Sequence, residues 1–122
     1  MNTEINEVEV NGVKYYRCTT DKPAESLNGL KYVIVRTYSA GVFAGYLKER
    51  KGQEVVLLKA RRLWQWAGAA SLSQLAMEGT SAPSSCKFPV EVESVELLQA
   101  VEILDVTEKA RLSIKGVKIW EV

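Results

Sequence analysis

The sequence predicts one α+β domain: an antiparallel sheet of about five to seven strands with two short helices. Three observations predict it. Asn11-Gly12 lies between the β-rich runs Glu7-Val-Glu-Val10 and Val13-Lys-Tyr-Tyr-Arg-Cys18, and Asn-Gly is a strong hairpin signal because both turn residues must adopt positive φ. Extended, β-rich runs recur between residues 31 and 58 and again between 88 and 106. Helix signals are confined to two places, starting at Ser71 and Thr107.

In chain order, Thr19 to Gly29 reads as a connector, with Pro23, Ser26 and Asn28-Gly29 as breakers. Lys31-Tyr-Val-Ile-Val-Arg-Thr-Tyr38 is apolar on both faces, which marks a central strand. Ser39-Ala40-Gly41 is a turn. Val42 to Leu47 and Gln53 to Leu58 form a second hairpin over the loop Lys48 to Gly52, and Gly45 inside its strand points to a bulge or a close backbone approach. Ala60 to Trp66 continues or bends that strand. Ser71 followed by Gln74 is a capping box, and Gly79 is a fitting stop for the helix between them. Thr80 to Cys86 is a loop. Phe88 to Val106 reads as mostly extended, although Leu97, Leu98, Val101 and Leu104 also fit helical spacing. Thr107 caps a helix from Glu108 to Ile114, and Val117 to Val122 closes the chain as an edge strand. That exposed last strand, with surplus aromatics, leads us to expect a homo-oligomer.

Composition narrows the chemistry. The 122 residues, 47% apolar and 25% charged, suit an ordinary globular domain. Histidine is absent, which removes Ser-His-Asp and Cys-His nucleophile systems, the usual imidazole metal sites and the commonest general base. Two cysteines, Cys18 and Cys86, are too few for a four-thiolate zinc site. No stretch is long and apolar enough to cross a membrane, and the first ten residues do not resemble a signal peptide. The expected setting is therefore cytoplasmic, with both thiols free and no Cys18–Cys86 bridge. The net charge is only +1, yet residues 31–62 carry +6 between acidic flanks. Such a block suits an anionic ligand, while the rest of the surface makes bulk nucleic acid an unlikely partner.

Several segments resemble a known family. They are Tyr32-Val-Ile-Val-Arg-Thr-Tyr-Ser-Ala-Gly-Val-Phe-Ala-Gly-Tyr-Leu47, Ala60-Arg-Arg-Leu-Trp-Gln-Trp-Ala-Gly-Ala-Ala-Ser-Leu-Ser-Gln-Leu75 and Val101-Glu-Ile-Leu-Asp-Val-Thr-Glu-Lys-Ala-Arg-Leu-Ser-Ile114, followed by a late Trp120. Together they are similar to a family of small, uncharacterised proteins of tailed bacteriophages. The resemblance spans about residues 31–122 and leaves residues 1–30 as an extension carrying the hairpin and connector. It implies a phage-encoded protein made in a bacterial cell, and no particular activity.

Three constellations are suited to anions. Arg36, Thr37, Tyr38, Ser39 and Gly41 combine a guanidinium, hydroxyls and turn amides; equally, the turn is chosen for its geometry. Arg61, Arg62, Trp64 and Trp66 place cations beside aromatic planes, as nucleobase stacking with a phosphate contact requires; equally, the indoles fill the core. Ser71 and Ser73 stand at a helix N-terminus that favours negative charge; equally, they only cap the helix. Arg36, Arg61 and Arg62 are expected to line one pocket, with Trp64 or Trp66 as its stacking wall. Glu91, Glu93, Glu96, Glu102 and Asp105 fall on alternating positions typical of a solvated strand face. No acidic cluster adjoins the arginines, so no catalytic residue, metal ligand or cofactor is assigned and no enzyme is expected. The leading expectation is a phage binding protein for a small anionic, nucleotide-like ligand, one that withholds a host antiviral signal. The alternatives are a structural or interaction protein, such as a virion accessory or host-protein inhibitor, and then a single-strand nucleic-acid binder.

Overall fold

The computed structural model describes residues 7–10, 13–16 and 22–122. Strands β1 (Glu7–Val10) and β2 (Val13–Tyr16) pair antiparallel with Val10 opposite Val13. The Asn11-Gly12 turn expected between them lies outside the described residues. Cys18 lies outside the described residues.

The connector is fastened to the domain from residue 22 onward. The Ala24 amide donates to the Val106 carbonyl (3.0 Å), and the Glu108 amide to the Lys22 carbonyl (2.9 Å). Glu108 accepts from the Glu25 amide at 2.6 Å and from Arg111 Nη2 at 2.8 Å. The Arg111 guanidinium is the main reason the Glu108 carboxyl is pushed down to about 2.

Five strands form the main antiparallel sheet, in the order β6-β5-β4-β3-β7. They are β3 (Tyr32–Thr37), β4 (Val42–Lys51), β5 (Glu54–Arg62), β6 (Val92–Leu97) and β7 (Ala100–Asp105). Residues 94–106 are therefore two strands with a break at Leu98-Gln99, and the helical spacing there is not used. β6 and β7 are opposite edges of the sheet, yet only those two residues join them. A flat sheet cannot satisfy both conditions, so the sheet curls on itself. The Ala100 amide accordingly reaches the carbonyl of Gln53, in the β4–β5 turn, at 3.0 Å.

The curl creates two cores on the two faces of β3. Val33 and Val35 point inward with Phe43, Val55, Leu57, Ala60, Leu97 and Ala100. Tyr32 and Ile34 point the other way, against Leu75 and Ala76 of α1 (Leu72–Glu78) and Ala110 and Ile114 of α2 (Glu108–Gly116). This double burial is why the β3 sequence is a continuous apolar run rather than an alternating one.

A bulge joins the two cores. Tyr46 pairs with Leu58, but Ala44 pairs with Arg61, so two steps on β4 face three on β5. Lys59 takes the extra position with φ 51°. Gly45 stands opposite because a Cβ there would lie 3.0 Å from Ala60 Cα. One inserted residue reverses the side-chain alternation. Before it, Val55 and Leu57 face the inner core; after it, Ala60 does, and Leu63 turns to the helical layer. The expected Lys48 to Gly52 loop is instead strand through Lys51, closed by a turn at Gly52.

Both helix caps form as the residue types require. Ser71 Oγ accepts from the Gln74 amide (3.1 Å), and Thr107 Oγ1 from the Ala110 amide (3.1 Å). Thr107 Oγ1 also donates to the Met77 carbonyl at 2.7 Å, tying the end of α1 to the start of α2. α2 runs past Ile114 to Gly116.

The expected edge strand from Val117 to Val122 is not formed. Val117 is buried with Ala110 and Ile114 of α2, and the segment meets residues 87–89 through the isolated parallel Phe88–Ile119 bridge and the Trp120 ring beside Lys87. The edge-pairing argument for a homo-oligomer therefore does not hold at this segment; the sheet edges are β6 and β7. Cys86 is a buried free thiol. Among the described residues, no helix is long and apolar enough to cross a membrane.

Candidate functional site

The bulge at Lys59 decides what the basic segment can do, because it turns Arg61 into the buried helical layer and leaves Arg62 on the opposite face, across Phe43. Arg61 is 5% exposed. Its Nε donates to Pro89 O (2.9 Å), Nη1 to Ile114 O (2.8 Å) and Nη2 to Phe88 O (3.0 Å). Burial lowers its pKa from the usual guanidinium value, but the group stays cationic. Ile114 O is among the last carbonyls of α2, where a cation is favourable. Arg61 is thus a bracket joining β5, residues 88–89 and α2, its guanidinium spent on backbone carbonyls.

The other residues expected around that pocket are also engaged. Arg36 Nε binds Glu102 Oε1 at 2.9 Å across the β3–β7 pair. Thr37 Oγ1 donates to Gly41 O (2.7 Å) and accepts from the Ala40 amide (2.9 Å), closing the turn on itself. Ser39 Oγ donates to Gln99 Oε1 at 3.0 Å, while the Tyr38 side chain is exposed. Gly41 has φ 95°, the reason for glycine there. Arg62 Nη1 donates to Ala40 O at 2.6 Å, and its guanidinium lies 4.4 Å from the Phe43 ring centre. Ser71 is occupied by the cap, Ser73 is exposed on α1, and Trp66 packs partly buried against the helical core. The three arginines therefore do not converge. The expectation of one pocket is corrected: three different local roles disperse them.

Trp64 is placed differently. It is 62% exposed and faces Trp120, itself 45% exposed, with ring planes 9° apart and centroids separated by 6.4 Å. That centroid separation is typical of an offset stack, in which the rings overlap only in part, and both indoles stay open to solvent. Lys87 Nζ lies 5.4 Å from the centre of the Trp120 ring. Backbone pairing assembles this group. Gln65 and Lys87 exchange two hydrogen bonds (3.2 and 2.7 Å), and the Trp120 amide donates to Phe88 O at 3.0 Å. Segments from three distant parts of the chain thus lie side by side.

Beside Trp120 opens a cleft of about 440 Å3, lined in part by Ser84, Cys86, Gly116, Lys118 and Ile119. Its loop wall is anchored at Gly68, whose φ is 80° and whose carbonyl accepts from the Ser81 amide at 3.1 Å. A Cβ on Gly68 would lie 2.4 Å from the Ala82 nitrogen. Sequence reasoning missed Lys87 and gave Trp120 no role, since no local spacing links residues 64, 87 and 120.

What fold and surface define is a small curled-sheet domain with helices over one face and an open aromatic–lysine platform at its side. The chain belongs to a family described as a domain of unknown function (DUF6948), which matches residues 30–114. Trp64, Lys87 and the Arg61 bracket lie within the matched segment, and Trp120 beyond it. No curated protein and no solved structure matches the chain.

Proposed function

We propose that this protein binds, without turning it over, a small flat anionic ligand of nucleotide type on the Trp64–Trp120 platform. The observation that carries the reading is the pair of exposed, near-parallel indoles with Lys87 beside them. Stacking of one base on an aromatic face contributes about 1–3 kcal/mol and tolerates any base. Lys87 supplies positive charge next to that face. The anion-suited residues read from the sequence are largely committed to internal bonds, which moves the site from Arg36, Arg61 and Arg62 to Trp64, Lys87 and Trp120. In a phage-infected bacterial cytoplasm, the setting the family resemblance implies, retention without turnover withholds a nucleotide signal from the host.

Titration of intrinsic tryptophan fluorescence with mononucleotides tests this. Saturable quenching below about millimolar, lost in Trp64→Ala, is expected. Absence of quenching by any nucleotide overturns the reading. A second reading rests on Ile119, 43% exposed beside Trp120: indoles flanked by aliphatic side chains also make the anchor of a protein interface. A stable complex with a host protein, abolished by Trp120→Ala in the absence of nucleotide binding, selects that alternative.

A further inference from the structure

We infer that the cleft beside Trp120 is the anion-holding half of the same site, so that the ligand is a single nucleoside phosphate rather than a strand of nucleic acid. The inference rests on the platform reading and adds the ligand's size and the residue that holds its charge.

The geometry argues for it in three ways. First, Trp120 belongs to both features: its ring faces Trp64, and it also lines the cleft. A group stacked on the platform therefore has the cleft as its neighbour. Second, the volume of about 440 Å3 lies within the usual range for small-ligand pockets. It suits a sugar and phosphate attached to one stacked ring, whereas single-strand binders stack successive bases along a groove spanning several nucleotides. Third, the charge there is set by few groups. Lys118 lines the cleft with no ion-pair partner among the described residues, whereas Lys115 is held by Glu91 at 3.2 Å. Lys87 is likewise without an ion-pair partner among the described residues and is directed at the Trp120 ring. Lys118 is the charged residue in the cleft lining, and Lys87 adds a second cation at the Trp120 ring beside it. A phosphate is thus favoured at Lys118, and Ser84 Oγ, also in the lining, offers it a hydrogen bond.

Cys86 reports on occupancy. It lines the cleft and is 8% exposed, so a bound ligand should slow its alkylation by a small thiol reagent.

The experiment compares adenosine, adenosine monophosphate and a single-stranded oligoadenylate on the full chain. Tryptophan quenching is read for wild type, Lys118→Ala and the remote control Lys48→Ala. Cys86 alkylation is followed by peptide mass mapping. The expected result is that the monophosphate binds about tenfold tighter than the nucleoside, the size of one charge-assisted hydrogen bond. Lys118→Ala should remove that advantage while leaving nucleoside binding and the folded spectrum intact, and Lys48→Ala should change nothing. The monophosphate alone should protect Cys86. Equal affinity for nucleoside and monophosphate, unchanged by Lys118→Ala, overturns the inference while the platform reading survives. Tighter binding of the oligonucleotide, per chain, overturns the size assignment. Quenching by none of the three ends both readings together.

Discussion

Two adjacent arginines with the same chemistry have opposite fates here. Arg61 is enclosed and holds three backbone carbonyls, whereas Arg62 lies on the surface across Phe43 and touches one. The residues that follow repeat the contrast: Leu63 is buried and Trp64 is exposed. Side-chain type does not separate the members of either pair. Neighbours on a strand always face opposite sides; the bulge at Lys59 decides which member of each pair meets the helical layer. An arginine's role is thus decided by a neighbour two residues away whose own side chain pairs with Glu93.

Breaking the inner half should have the largest effect. Arg61→Ala removes three charge-assisted hydrogen bonds, each worth about 1.5–3 kcal/mol, and strands Pro89 O, while Phe88 O and Ile114 O keep the Trp120 and Val117 amides. We expect urea denaturation to show a loss of at least about 3 kcal/mol, with Arg61→Lys recovering only part. Arg62→Ala should cost under about 1 kcal/mol, as surface changes do. Equal losses for the two would break the comparison.

The bulge itself can be challenged at Gly45. Its missing Cβ would meet Ala60 Cα at 3.0 Å, a backbone atom with no freedom to move aside. Gly45→Ala should destabilise by about 1–3 kcal/mol and increase solvent exposure around Arg61 in hydrogen exchange. A smaller effect would mean the bulge tolerates the methyl.

Acid should probe the strap that joins residues 22–25 to α2. Glu108 has its folded pKa pushed down to about 2 by Arg111, below the ordinary carboxylate value. Its stabilising contribution is therefore present above about pH 4.3 and is lost as pH falls toward 2. Thermal melts between pH 5 and 2 should show a falling midpoint, with a shallower fall in Glu108→Gln. Parallel curves for the two proteins would show that the strap depends on its backbone bonds alone.

The smallest stability change is expected at the platform. Trp64→Ala removes an indole that is mostly in water, so the fold should lose under about 1 kcal/mol while nucleotide quenching disappears. Outer-face residues would then be separated from inner-face ones by readout as well as by position.

Much of the fold was legible locally. Asn11-Gly12, the doubly apolar run from Tyr32 to Val35 and the caps Ser71 and Thr107 each carry their own signal, because hairpin turns, central strands and helix starts are governed by neighbouring residues. The site was far less legible. Gly45 signalled a bulge, but nothing marked Lys59 as the inserted residue, and that single position decides where Arg61 points. The platform joins residues 64, 87 and 120 through pairings between remote segments, which no spacing in the chain records. The last six residues have strand-like composition, but burial of Val117 beneath α2 directs them elsewhere.

The way the sheet closes also bears on how the chain reaches its structure. Ile34 pairs with Ala44 on one side and with Leu104 on the other. The first partner is local; the second is supplied only after the helical insertion and two more strands. Closing that long loop before any contact repays its entropy favours slow folding, in the millisecond-to-second range typical of sheet topologies dominated by distant pairings. Until β7 arrives, the most hydrophobic strand of the protein has an unpaired edge. During synthesis at high concentration, that interval is when copies are most able to pair wrongly with one another.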